Sequence, residues 1–274
     1  MSVKKTLKQA SAAPCESCGF NLQRLGIEVD KWDYVIALAG NPNTGKSTVF
    51  NHLTGLKQHT GNWPGKTVSR AEGGFTWQNK TFKLVDLPGT YSLLSASVDE
   101  EVARDFLLFG QPDATIVVMD ATILERNLNL VLQILEITDR VVIALNLMDE
   151  ARRKGMDVDH RALARQLGVP VVPTVARQGK GLNLLVETVH GVIEGTIPTK
   201  PHRIRVSPAI QRALDQLVPE IQRVFPELPN ARWIAMRLLD GDIKVQKALE
   251  KGEWDVFLGE SVFDRSHSTE AGAL

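Results

Sequence analysis

YVIALAGNPNTGKSTVFNHL, residues 34–53, decides the fold. Its first six residues are an apolar run that stops at a glycine, as a buried strand does. Residues 40–47 have the spacing G-x-x-x-x-G-K-[ST], and the residues after them continue at helical spacing. A strand, a glycine-rich turn and a helix in that order make a loop whose backbone N–H groups wrap phosphate at a helix N-terminus. In such a loop Lys46 reaches the β- and γ-phosphates and Ser47 ligates Mg²⁺. Phosphate binding accounts for Gly40, Gly45, Lys46 and Ser47 but leaves Asn43 unexplained.

Outward from this stretch, short apolar runs alternate with amphipathic ones. ATIVVMD (114–120), RVVIALN (140–146) and VPVVPT (169–174) read as further buried strands. Between them VDEEVARDFLLFG, LERNLNLVLQILEI and DHRALARQLG carry apolar residues at helical spacing, and LNLLVETVHGVIEG closes the unit. TVSRAEGGFTW and KTFKLVDL, separated by Gln78 and Asn79, read as an antiparallel hairpin at the sheet edge. The predicted fold is α/β: a Ras-like P-loop GTPase sheet, mostly parallel and flanked by helices, followed by a small all-α domain. The expected organisation is a flexible tail with a CxxC over 1–31, a G domain over 32–196, a proline-containing linker over 197–206, a helical domain over 207–259 and a disordered tail over 260–274. Ser207 followed by Pro208 reads as an N-cap with proline at the first helical position.

The chain has 274 residues, 43% of them hydrophobic, enough to bury a full core. Lys plus Arg and Asp plus Glu both number 32, so no global field draws it to nucleic acid, and no nucleic-acid partner is expected. No apolar run approaches the roughly 18 residues that cross a bilayer, and the start lacks the apolar core of a signal peptide, so the chain reads as a soluble, cytosolic piece. Its two cysteines, Cys15 and Cys18, form one CxxC ahead of the first strand. That motif reads as a tail without chemistry, with metal or redox capture as the alternative.

Further candidates lie at strand ends. DLPG (86–89) places Asp86 where a carboxylate can hold a magnesium-bound water, and Gly89 where a backbone N–H can sense the γ-phosphate. NLMD (146–149) places Asp149 to accept from the N1–H and exocyclic amine of guanine, a pair that adenine lacks. In TVARQGKG (174–181) the Ala176 N–H can meet the guanine carbonyl oxygen. The loop KQHTGNWPGKTV (57–68) reads as a mobile switch carrying Thr67, the candidate that closes over Mg²⁺. Trp63 within it reads as a packing aromatic or a partner contact, with packing favoured. The nucleotide-binding set is Gly40, Asn41, Pro42, Asn43, Thr44, Gly45, Lys46, Ser47, Thr48, Gly65, Thr67, Asp86, Gly89, Asn146, Met148, Asp149, Val175, Ala176 and Arg177. Catalysis is assigned to Lys46, Thr67, Gly89 and Asn43, and Mg²⁺ to Ser47, Thr67 and Asp86.

Together GNPNTGKSTVFN, GNWPGKTV, DLPGTYSL, NLMD and ARWIAMRLLDGD resemble the N-terminal cytosolic part of the bacterial ferrous-iron transport protein B (FeoB) family. The resemblance covers most of residues 33–258. It implies a GTPase that binds GTP and GDP, with a helical domain that slows nucleotide release; slow hydrolysis follows separately, from the lack of a water-orienting glutamine after DLPG. It also implies a transmembrane iron-transport region in the full-length protein, at whose inner-membrane cytoplasmic face this fragment would work, and it leaves room for a homo-oligomer. Two positions depart from the expected pattern: Leu147 stands where guanine-reading motifs carry lysine, and Thr90 stands where Ras-like GTPases carry a water-orienting glutamine. The alternative is a soluble RNA-associated GTPase of ribosome assembly or tRNA modification, against which the mixed charge after residue 200 argues. Asn43 offers a neutral amide oxygen suited to a monovalent cation, and potassium-stimulated GTPases resemble this chain in having asparagine there. K⁺ is therefore expected as an activating ion.

Overall fold

The computed structural model describes residues 22, 25–28, 31–55, 58–64, 66–94, 97–226, 228–243, 245 and 246. Seven strands form one sheet: β1 (Tyr34–Gly40), β2 (Gln58–Asn62), β3 (Ser69–Trp77), β4 (Lys80–Asp86), β5 (Ala114–Asp120), β6 (Val141–Asn146) and β7 (Val171–Pro173). Their order is β2-β3-β4-β1-β5-β6-β7. Strands β4, β1, β5, β6 and β7 run parallel, and β2 and β3 are the antiparallel edge. All seven residues of β5 and all six of β6 are buried, as befits central strands covered on both faces.

Helices α1 (Lys46–Thr54), α2 (Val98–Asp105), α3 (Leu124–Ile137), α4 (Met148–Arg153), α5 (His160–Leu167) and α6 (Leu182–Ile193) flank the sheet. Alternation along the strands sends Val35, Ala37, Val85 and Val117 to the core shared with α2 and α3. Ile36, Leu38, Leu84 and Val118 go to the core shared with α1 and α6. Each large apolar side chain so buried contributes about 1.5–3 kcal/mol. Helix α2 begins at Ser97, whose hydroxyl accepts from the Glu100 N–H at 3.3 Å. It continues into a π-helical turn over Phe106–Gly110.

The expected hairpin is present as β3 and β4. Its turn residues, Gln78 and Asn79, have φ of 46° and 63°, the left-handed pair that a two-residue hairpin turn needs. Strand β2 was not foreseen, because QHTGN has no alternation to announce it; its pairing with β3 supplies the order that its side chains do not. Residues assigned to a flexible tail also differ from expectation: Leu22, Leu25 and Ile27 are buried against the main core. The CxxC lies outside the described residues.

Beyond the sheet, α7 (Pro208–Val224) packs on α8 (Ala231–Leu239). Ser207 caps α7 through its hydroxyl, with Pro208 at the first helical position. Asn230 joins this pair to the sheet unit. Its Nδ2 donates to the Glu136 and Ile137 carbonyls at 2.6 and 2.7 Å, and its Oδ1 accepts from the Trp233 N–H at 3.1 Å. One side chain therefore closes the end of α3 and opens α8. Among the described residues no helix is long and apolar enough to cross a membrane.

Candidate nucleotide site

The turn after β1 is fixed from inside. Thr44 is buried, its hydroxyl donating to the Asn41 carbonyl at 2.9 Å, and Asn41 Nδ2 reaches the Arg126 carbonyl at 3.4 Å. Gly45 has φ of 87°, and a Cβ there would lie 2.3 Å from Asn146 Nδ2, so both conformation and space demand glycine. No side chain caps α1, whose first residues are Lys46, exposed Ser47 and half-buried Thr48. The N–H groups of its first turn have no intrahelical partner. Pro42 is half-buried. Asn43 is exposed with φ of 65°, a conformation that asparagine tolerates better than most residues.

Lys46 forms an ion pair with Asp86 at the end of β4. Burial raises the Asp86 pKa, and the Lys46 charge and hydrogen bond offset that in part. The chain then crosses to β1 through Leu87 N–H on the Leu38 carbonyl at 2.9 Å. Gly89 lies against Pro42, where a Cβ would sit 3.4 Å from the Pro42 nitrogen. Thr90 is buried. The next residues dock on α3. Gln133 Oε1 accepts from Leu93 N–H at 2.6 Å and from the Ser92 hydroxyl at 3.2 Å. Asn129 Nδ2 donates to the Tyr91 carbonyl at 3.0 Å, and Arg126 stacks 4.2 Å from the centre of the Tyr91 ring. Tyr91 and Ser92 are thus engaged with α3, and Glu100 sits in the first turn of α2.

At the end of β6, buried Asn146 ties two loops together. Its Nδ2 donates to the Thr44 carbonyl at 2.9 Å, and its Oδ1 accepts from Ala176 N–H at 3.0 Å and the Thr174 hydroxyl at 3.2 Å. The Ala176 N–H, expected to meet a guanine carbonyl oxygen, here donates to Asn146. Val175 N–H likewise donates, to the Lys180 carbonyl at 3.0 Å, and Met148 is buried in the core rather than turned toward a ligand. Leu147 takes φ of 61°, a strained conformation for a bulky residue, and opens α4. Asp149 pairs with Arg177, and its Oδ1 is buried with no partner among the described residues. Burial opposes the Asp149 charge, but the Arg177 hydrogen bond and charge outweigh it and hold the carboxyl below its usual range.

Thr67 is exposed in the loop before β3, and no described contact joins it to Lys46 or Ser47. Gly65 lies outside the described residues. Trp63 is buried and packs on Phe106, as favoured. Among the described residues no group of three or more His, Cys, Asp or Glu side chains could hold a metal by itself. Ser47 and Asp86 do offer the hard oxygen donors that Mg²⁺ takes alongside phosphate oxygens and water.

A family profile described as ferrous iron transport protein B matches residues 34–189, more than half of the chain, and one described as the FeoB cytosolic helical domain matches residues 207–264. The chain belongs to the FeoB family. It is 40% identical over 214 residues to the Fe(2+) transporter FeoB of Salmonella typhimurium, a match covering 76% of this chain and 27% of that protein. The chain thus matches about a quarter of the length of that curated FeoB protein. Among solved structures it resembles the cytosolic domain of the T. maritima FeoB iron transporter in a GDP form, with a TM-score of 0.73 and 39% identity over 80% of this chain and 84% of that one. The isolated G domain of T. maritima FeoB aligns at 46% identity and a TM-score of 0.55, covering 58% of this chain and 98% of that one. These likenesses make the sheet unit a FeoB G domain of the P-loop GTPase fold, and they favour it over the RNA-associated alternative.

Sequence reasoning missed what holds the FeoB loops in place. Arg126, Asn129 and Gln133 recur at three- and four-residue steps along α3, a legible polar stripe whose partner only the fold supplies. Asn146 was assigned to the nucleotide, whereas its side-chain amide is committed to Thr44, Thr174 and Ala176.

Proposed function

We propose that this chain binds GTP and GDP and slowly hydrolyses GTP as the regulatory domain of a ferrous-iron transporter. The observation that carries the reading is the Asn146 tie. It brings the phosphate-type loop bearing Lys46 and Ser47 to the same sheet edge as the Asp149 carboxylate, which pairs with Arg177. Ligands of open α/β sheets bind outside the carboxyl ends of the strands, and β1, β4 and β6 all end at this edge.

In this reading Lys46 moves from Asp86 to the β- and γ-phosphates, and the open N–H groups of α1 receive the remaining negative charge. Asp149 accepts from the guanine edge, and the Gly89 N–H senses the γ-phosphate. Ser47, Asp86 and Thr67 would hold Mg²⁺, which would supply positive charge to offset that of the phosphates. Exposed Asn43 offers its amide oxygen to K⁺. Turnover is slow because buried Thr90 cannot orient water as a glutamine does. The rest of the full-length protein supplies the membrane-spanning iron pathway, with this domain at its cytoplasmic face.

Equilibrium binding and hydrolysis with the Lys46→Ala and Asp149→Asn variants test the reading. Lys46→Ala should abolish measurable hydrolysis and weaken triphosphate binding by about 2–5 kcal/mol. Asp149→Asn should lower GTP affinity while improving xanthosine triphosphate relative to it. Unchanged turnover in the first, or an intact GTP preference in the second, would overturn the corresponding assignment.

A further inference from the structure

Thr67, the proposed Mg²⁺ ligand, sits in a loop closed at its neck. Trp63 N–H donates to the Val68 carbonyl and Lys66 N–H to the Trp63 carbonyl, both at 3.0 Å. The neck is anchored by the Trp63 ring. That ring is buried, and its indole N–H has no partner among the described residues, so packing alone holds it. Phe106 packs edge-on with ring centres 5.4 Å apart, and the Arg70 guanidinium lies 5.4 Å from the Trp63 ring centre.

Arg70 is itself fixed from the other side. Its Nη1 and Nη2 donate to the Leu25 and Gly26 carbonyls at 2.8 and 2.9 Å, and its Nε lies 2.6 Å from Glu72 Oε1. Lys83 repeats the pattern, bridging Glu72 at 2.5 Å and the Glu28 carbonyl at 3.0 Å. Gly26 has φ of 76°, and a Cβ there would lie 2.8 Å from Arg70 Nη1 and 3.2 Å from Pro64 in the loop. The planar fork of arginine suits this double-carbonyl grip and the aromatic stack together, which an ammonium group cannot match. The segment 25–28 lies ahead of the FeoB match, which begins at residue 34.

We propose that Arg70 is a positioning residue for the Thr67 loop, and that the N-terminal segment 25–28 works as its backstop. The Arg70 guanidinium is engaged by the Leu25 and Gly26 carbonyls, Glu72 and the Trp63 ring. It acts by holding Trp63, and through Trp63 the neck from which Thr67 is presented. Loosening that neck spares the diphosphate, which Thr67 does not sense, and harms the triphosphate complex. The inference rests on the nucleotide reading above for its consequence in catalysis, but not for its structural half.

The test uses the full chain with Arg70→Lys, which keeps the charge and loses the fork. Hydrogen–deuterium exchange across residues 58–69 should quicken by about 10-fold. GDP affinity should stay within about twofold, while kcat and the affinity for a non-hydrolysable GTP analogue fall by about 10-fold. Unchanged exchange would overturn the anchoring role. Quicker exchange with an unchanged kcat and an unchanged ratio of triphosphate to diphosphate affinity would overturn the positioning role. If Arg70→Lys shows no cooperative thermal transition, Gly26→Ala makes the same comparison by crowding the guanidinium from the segment 25–28. If the unsubstituted protein itself neither binds nor hydrolyses GTP, the nucleotide reading fails, and the exchange measurement still decides whether Arg70 holds the neck.

Discussion

Asn146 Nδ2 donates to the Thr44 carbonyl at 2.9 Å, across 102 residues of chain, and the same side chain accepts from Ala176 N–H. The phosphate-type loop and the loop after β7 are therefore held in register by one buried amide. Asn146→Ala leaves the Thr44 carbonyl and the Ala176 N–H buried without that partner, at about 1–3 kcal/mol for each such group. We expect a loss of about 2–4 kcal/mol in urea denaturation, together with weaker GTP and GDP binding. Asn146→Asp should also lose stability, because a carboxylate cannot donate to the Thr44 carbonyl.

For Asn43 the backbone dictates the choice of variant. With φ of 65°, replacement by alanine adds strain of about 1–2 kcal/mol to whatever the lost amide does. Glycine removes the amide without that strain. If the amide oxygen ligates K⁺, replacing Na⁺ by K⁺ at constant ionic strength should speed hydrolysis about 10-fold in the parent. Asn43→Gly should abolish the difference at nearly parental stability. A preserved potassium effect in that variant would leave Asn43 with a backbone role alone.

Asn230 is the joint between the α7–α8 pair and α3, meeting two carbonyls at one end and the Trp233 N–H at the other. Its φ of 50° is again left-handed, so Asn230→Gly is the cleaner probe. We expect about 1–3 kcal/mol of destabilisation in thermal or urea unfolding. Stopped-flow release should show faster GDP dissociation, because α3 also touches Asn41 through the Arg126 carbonyl. Equal release rates would leave the helical pair a structural role only.

Tyr34, one of two tyrosines, donates its hydroxyl to Glu194. Burial, then that hydrogen bond and the Glu194 charge, push its pKa up to about 12. An unfolded tyrosine ionises near 10. Between these values the unfolded chain has released a proton that the folded one retains, so stability from this group is complete below about pH 10 and is lost as pH rises toward 12. Absorbance at 295 nm should show a step at about 12 that Tyr34→Phe removes. A parent spectrum with no such late step would contradict the Tyr34 environment.

The strand–loop–helix of residues 34–53, the β3–β4 hairpin and the strand-end motifs could be read from sequence, because each rests on local chemistry. Two-residue and 3.6-residue periodicities announce elements, Gln78 and Asn79 suit a tight turn, and a lysine after glycine suits phosphate. The family likeness was legible for the same reason, in DLPGTYSL and ARWIAMRLLDGD. What only the tertiary structure decided depends on partners distant in the chain. QHTGN becomes β2 only because β3 offers an edge. The residues before β1 become core only because the π-helical turn and β3 receive them: a Cβ on Gly110 would lie 3.1 Å from Leu25 Cδ1, and Arg70 grips the Leu25 carbonyl. Asn146 stands in NLMD and Gln133 in the polar stripe of α3, but neither pattern names its partner, and Arg70 looks like an ordinary polar residue in sequence. A side-chain hydrogen bond spanning 40 or 102 residues leaves no periodic trace, and its partner is a backbone atom that every residue type carries.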